Sequence, residues 1–248
     1  MTGVTHARHL KVREFPRTSA ARRAQRPQWQ WLLVGLLMAF LLPFLFTDLT
    51  SMDRDLYYGI LAACVFGFVA RWLQATTEPR TLLLRNWRWG IVLGLVFFGL
   101  MVPVVLREPS TPHPHGLDFA VAIVWRGIVY GFADGLLLSA FPIVAVFTAF
   151  AGRRALERWR GKVAVGALAL AVSVLFTAVY HLGYSDFRGA KLRKPIAGDL
   201  MWSVPTLVTL SPLASPITHA GLHVSAVVHS YDTTLFLPPH EDRTEVNP

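Results

Sequence analysis

LDFAVAIVWRGIVYGFADGLLLSAFPIVAVFTAF (117–150) is the stretch that decides the fold: 34 residues with only three charged side chains, Asp118, Arg126 and Asp134. As a helix it is about 50 Å long, against the roughly 30 Å of a bilayer's hydrocarbon core. One crossing plus an interfacial or re-entrant piece is predicted, with the break near Pro142 or the glycines. Gly127, Gly131 and Gly135 recur every four residues, a small-residue seam along which two membrane helices approach closely. Beside it runs a polar stripe, Arg126, Tyr130 and Asp134, again four apart. Ionisable groups at membrane depth are costly unless they face a partner or a cavity. This helix is therefore placed at the centre of an all-α, polytopic transmembrane bundle.

The rest of the chain agrees with that class. Its 248 residues are 53% hydrophobic, too apolar for an ordinary soluble domain. Further apolar runs at 31–46, 57–73, 90–106, 163–184 and 201–231 bring the total to about six or seven segments. The formal net charge of +9 gathers in loops beside these runs, where it sets topology and meets anionic lipid headgroups; no nucleic-acid partner is implied. Residues 1–29 form a basic arm, with Arg8, Lys11, Arg13, Arg17, Arg22, Arg23 and Arg26 against one acid, Glu14. That arm is expected in the cytoplasm, and the acidic loop with Asp48, Asp53 and Asp55 across the membrane. Loop 107–118 and the basic loop around Asp186, Arg188, Lys191, Arg193, Lys194 and Asp199 are expected outside, the latter against the positive-inside tendency. The transmembrane domain is read as 30–231 and the remainder, 232–248, as an exposed polar tail. Cys64 is the only cysteine, which excludes an internal disulfide and a thiolate cluster. Trp31, Trp72, Trp87 and Trp89 sit at span edges, as in an aromatic belt.

The last run contains SPLASPITHAGLHVSAVVH (211–229). His219 and His223 are four apart, so on a helix they share one face. Pro205, Pro212 and Pro216 predict a broken helix, tolerated in a bilayer only where it packs within protein or lines a cavity. Such histidines either make interhelical hydrogen bonds or form a site. For Asp134 the structural alternative is a pair with Arg126 or a tyrosine, and for His181 a place at the interface. His113, His115, His229 and His240 read as solvated or interfacial.

The order of polar groups (Arg126 and Asp134 on one helix, His181 near the end of the next, then His219 and His223) resembles the CAAX-protease and bacteriocin-processing family of intramembrane metal-dependent proteases. That family carries Glu-Glu-x-x-x-Arg, then Phe-x-x-x-His, then His-x-x-x-Asn or a variant. The likeness covers roughly 120–229. Asp134-Gly-Leu-Leu-Leu-Ser139 stands at the first motif without its glutamates or arginine; Thr177 stands at the phenylalanine, with Phe176 one residue early; His223 replaces the asparagine. The resemblance implies a helical bundle that cuts a membrane-protein or peptide substrate; the preference for arginine over lysine points to a bacterial source, and so to a bacterial inner membrane. It implies His181, His219 and His223 as ligands of a divalent metal such as zinc, leaving a position for water. Asp134 would be a further ligand or the general base, and Arg126 would pair with Asp134 or hold a developing oxyanion.

Two other classes fit parts of the pattern. A non-catalytic membrane subunit or assembly factor would keep the fold without the glutamates. Haem-based electron transfer needs axial histidines better spaced than two residues one turn apart. Paired inverted halves, the mark of many transporters, are not visible.

Overall fold

A computed structural model describes residues 26–76, 78–232 and 236–237. The basic arm up to residue 25 and most of the tail lie outside the described residues. The protein is an all-α polytopic bundle, and five of its helices are long and apolar enough to cross a membrane. They are α1 (Arg26–Pro43, continued by π-wound turns over Phe44–Leu49), α2 (Arg54–Gln74), α4 (Trp87–Val105, led in by the short α3, Pro79–Leu83), α5 (Gly116–Ala149) and α6 (Trp159–Leu182). Three shorter helices follow: α7 (Arg193–Trp202), α8 (Val204–Thr209) and α9 (Ala214–His229).

Local chemistry accounts for several boundaries. Asp53 caps α2, its carboxylate accepting from the backbone N–H of Asp55 at 3.0 Å and of Leu56 at 3.1 Å, which satisfies two of the first turn's free donors. Leu210 takes a left-handed conformation (φ 53°) after α8, and Pro212 follows, so the chain turns over 210–213 before α9 starts. This is the break that the prolines of the last run predict. Asn86 (φ 47°) donates from its side chain to the Thr209 carbonyl at 2.6 Å, tying the start of α4 to the end of α8. On α1 the residues Leu33, Leu37, Leu41 and Leu45 are exposed, an i, i+4 apolar stripe suited to lipid contact.

The expected break near Pro142 takes another form. α5 runs unbroken from Gly116 to Ala149, and its irregularity is absorbed by π-wound stretches at Ile123–Val129 and Leu136–Ala140. Pro142 lies in the first turn after the second of these, where its missing N–H costs least. Asp134 falls in the six α-helical residues between them. Most of α5 is buried, as its glycines and polar stripe predict.

The glycine seam sets the central contact. A methyl group built on Gly127 would lie 2.7 Å from Val224, one on Gly131 2.8 Å from the Cα of Ala220, and one on Gly135 2.7 Å from the Cα of Pro216. The partners descend as the glycines ascend, so α5 and α9 run antiparallel in backbone contact. On its other side α9 meets α4: the corresponding contacts join Gly94 to Ile217 and Gly221 to Phe98. At 16 residues, about 24 Å, α9 is shorter than a bilayer core and is walled in by protein.

Two expectations need correction. Trp72 is core, 2% exposed, with its indole N–H on Gln28 Oε1 at 2.9 Å, while Trp87 and Trp89 are exposed. The tail is not wholly exposed, because Phe236 and Leu237 are buried with Met101, Val105 and Leu222.

Candidate metal centre

The α5–α9 contact brings Asp134, His219 and His223 together. His219 Nδ1 lies 3.0 Å from Asp134 Oδ2, and His223 Nε2 lies 3.5 Å from the same oxygen. One ligand atom from each residue falls within 4.8 Å of the others, and all three side chains are buried. Among the described residues, Asp134 Oδ1 and both ring nitrogens of His223 have no hydrogen-bond partner. Buried polar atoms without partners are uncommon and costly. One carboxylate and two imidazoles form a donor set suited to Zn²⁺ or a similar ion, so the residues present fit such a group.

A cavity of about 370 Å³ opens beside the cluster. Tyr130, Asp134, Tyr180, His181 and His223 line its polar side; Met101, Trp202 and Leu222 are among its apolar walls. Glu108 and Lys194, an ion pair at 3.8 Å, also border it. His181 thus shares the cavity but not the three-residue donor group. Its Nδ1 is 2.7 Å from the Thr177 carbonyl. A carbonyl only accepts, so Nδ1 carries the hydrogen and Nε2 of the neutral ring keeps its lone pair.

Arg126 is elsewhere. Its guanidinium is forked onto Asp55, with Nε–Oδ1 and Nη2–Oδ2 both at 2.7 Å, and it lies over the Tyr231 ring at 4.6 Å. The expected pairing with Asp134 is replaced by this one. The physical reason is distance along the helix: eight residues rise about 12 Å, two turns, so Arg126 does not reach Asp134, whereas Asp55 on α2 lies within bonding distance. His229 bonds the Glu108 carbonyl at 3.0 Å, away from the cluster.

Two groups escaped the sequence reading. Asp199, placed there in an outside loop, is fully buried on α7. Its Oδ1 accepts from Ser139 and Ser203 at 3.0 Å each and from Ser173 at 3.4 Å, and Oδ2 has no hydrogen-bond partner among the described residues. Burial pushes the Asp199 carboxyl above the usual range, against the pull of His219 and these hydroxyls. The second group is a run of phenols: Tyr57 to Tyr184 at 2.7 Å, Tyr184 to Tyr180 at 2.8 Å and Tyr180 to Tyr130 at 2.9 Å. Only Ser203, four residues after Asp199, hinted at the first; the second joins three helices and a loop and has no signature in the sequence.

No protein-family model matches the chain, and no solved structure matches it. The chain is similar to a protein of Aspergillus clavatus named Efflux pump patC, 23% identical over 127 residues. The alignment covers 39% of this chain and 22% of the pump, so this chain spans about a fifth of that relative. What stands on fold and site together is a polytopic helical membrane protein with a buried Asp/His group able to hold a metal ion.

Proposed function

We propose that this chain is an intramembrane metal-dependent endopeptidase, similar in plan to the CAAX-protease and bacteriocin-processing family. The observation that carries the reading is the convergence of Asp134, His219 and His223, with buried atoms that make no hydrogen bond among the described residues, beside a cavity that His181 also lines. Asp134, His219 and His223 would hold the ion, which when bound supplies Lewis acidity and makes water acidic near neutral pH. Asp134 Oδ1 is the base: it takes one proton from water as the hydroxyl adds to the scissile carbonyl carbon. The same proton passes to the departing amide nitrogen as the C–N bond breaks, giving a carboxylic acid and an amine, and the acid's proton then passes to the amine to leave a carboxylate and an ammonium group. His181, on the cavity wall, offers the Nε2 lone pair as an acceptor for a substrate backbone N–H, and the apolar walls exclude bulk water. Substrate is a membrane-protein or peptide segment. We place the protein in a bacterial inner membrane, on the chain's preference for arginine over lysine, with the arm 1–29 in the cytoplasm, on the arginine excess of that arm.

The alternative is a non-catalytic subunit of a membrane complex that keeps the fold. It is favoured by Arg126, which is engaged by Asp55 away from the cluster, and by the absence of any glutamate from α5. Metal content of the purified full chain after Zn²⁺ loading separates the two. The protease reading expects about one ion per chain, lost in His219→Ala, and cleavage of membrane peptides that stops in Asp134→Asn while the protein still accumulates. No retained ion and no cleavage would leave the subunit reading.

A further inference from the structure

His219 is gripped at both ring nitrogens: Nδ1 faces Asp134 Oδ2 at 3.0 Å, and Nε2 faces Ser139 Oγ at 3.3 Å. Ser139 donates to Asp199 Oδ1 at 3.0 Å. A hydroxyl carries one proton. With that proton directed at Asp199, Ser139 meets His219 only as an acceptor, so Nε2 must carry the hydrogen. A neutral ring then keeps its lone pair at Nδ1, aimed at a carboxylate oxygen. Two acceptor atoms at 3.0 Å repel unless a cation, a proton or a metal ion, is shared between them. His223 Nε2, 3.5 Å from the same Asp134 oxygen, supplies a further donor to that point.

We propose that Asp199, acting through Ser139, is a positioning residue that holds His219 in its Nε2–H tautomer and presents Nδ1 as the metal-ligating atom. The inference rests on the metal-centre reading above. Ligating histidines commonly donate their second ring N–H to such an outer partner, which fixes tautomer and ring orientation. Asp199 has the rigidity for this: it is fully enclosed, and Ser203 donates to the same Oδ1 at 3.0 Å. Oδ1 accepts whether or not the carboxyl is protonated, since Oδ2 is the oxygen left for a proton. The Trp202 ring stands edge-on to His219 at 5.1 Å and closes that flank.

The π winding explains how one helix reaches both nitrogens. Residues five apart on an α-helix point about 140° apart. Over Leu136–Ala140 the turn widens, which brings Ser139 back toward the face of Asp134, so the two flank a single imidazole.

The test uses the full chain in detergent with ¹⁵N-labelled histidine, read by long-range ¹H–¹⁵N spectra with and without Zn²⁺; His219→Gln identifies the signals. The expected spectrum has His219 protonated at Nε2 and shifted by Zn²⁺ at Nδ1. In Ser139→Ala and Asp199→Leu the Zn²⁺ affinity falls about 10–100-fold, and without metal the Nδ1–H form appears, because Asp134 becomes the one acceptor left to the ring. Asp199→Asn keeps an acceptor oxygen and retains the wild-type pattern. Ligation through Nε2, or a Ser139→Ala protein with unchanged affinity and tautomer, overturns the proposal. If the wild type takes no Zn²⁺, the metal reading falls and the metal-free spectrum decides alone: an Nε2–H signal lost in Ser139→Ala upholds the relay, and its persistence in Ser139→Ala overturns it.

Discussion

Arg126 and Asp134, eight positions apart on α5, have opposite surroundings. Arg126 makes both arms of a fork to Asp55 and lies on Tyr231. Among the described residues, Asp134 keeps one oxygen without a hydrogen bond and faces His223, whose two ring nitrogens also make none, Nε2 standing 3.5 Å from the other carboxylate oxygen. A bidentate pair at 2.7 Å is what a structural charge in a bundle looks like. A carboxylate among buried, unsatisfied donors is stable only if something else joins it. The difference separates a clamp from a site on one helix, and it can be tested residue by residue.

The largest effect is expected at the unsatisfied end. His219→Ala removes a ligand and should lower Zn²⁺ affinity by more than the roughly 10–100-fold typical of an outer partner, measured by competition with a chromophoric chelator. Retention of full affinity would remove His219 from the centre. Next comes Gly131→Ala, whose methyl would lie 2.8 Å from both the Ala220 Cα and His223 Cδ2. Overpacking of this kind costs about 1–3 kcal/mol; thermal unfolding should show it, and the altered helix contact should weaken metal binding too.

At the satisfied end, Arg126→Met should lower stability by about 1–2 kcal/mol, a charge-assisted bond discounted for the partial exposure of Asp55. Zn²⁺ affinity should stay within about twofold of wild type (about 0.4 kcal/mol). A large loss of metal in that variant would erase the distinction between the two ends. The smallest effect is expected for His229→Ala, which gives up one bond to the Glu108 carbonyl, worth roughly 1 kcal/mol, and should leave metal content unchanged.

What could be read in the sequence was what repeats along a helix. Gly127, Gly131 and Gly135 announced a close helix contact, and the spacing of His219 and His223 put both rings on one face. Their meeting with Asp134 was expected from the order of polar groups, and the antiparallel seam now supplies its geometry. The pairing of Arg126 was misread because a stripe along one helix reports a shared face and not reach: Arg126 and Asp134 are two turns, about 12 Å, apart, and Asp55 comes from another helix. Asp199 was hidden by its basic neighbours: Lys191, Arg193 and Lys194 make the segment look like a loop, whereas the helix from Arg193 turns Asp199 inward. Its partners Ser139, Ser173 and Ser203 come from three different helices or their ends, a convergence that no local pattern reports.

The placement of α9 has a consequence for biosynthesis. Of the described helices it leaves the ribosome last, and it is too short to cross a bilayer comfortably by itself. It enters a slot already framed by α4 and α5, with its small residues against their backbones. Until it arrives, Asp134 stands among its neighbours without either imidazole, an acid at membrane depth without its histidine partners. Assembly of the Asp134, His219 and His223 group and closure of the bundle are therefore a single late event, and a chain stalled before residue 219 would hold the scaffold without either imidazole.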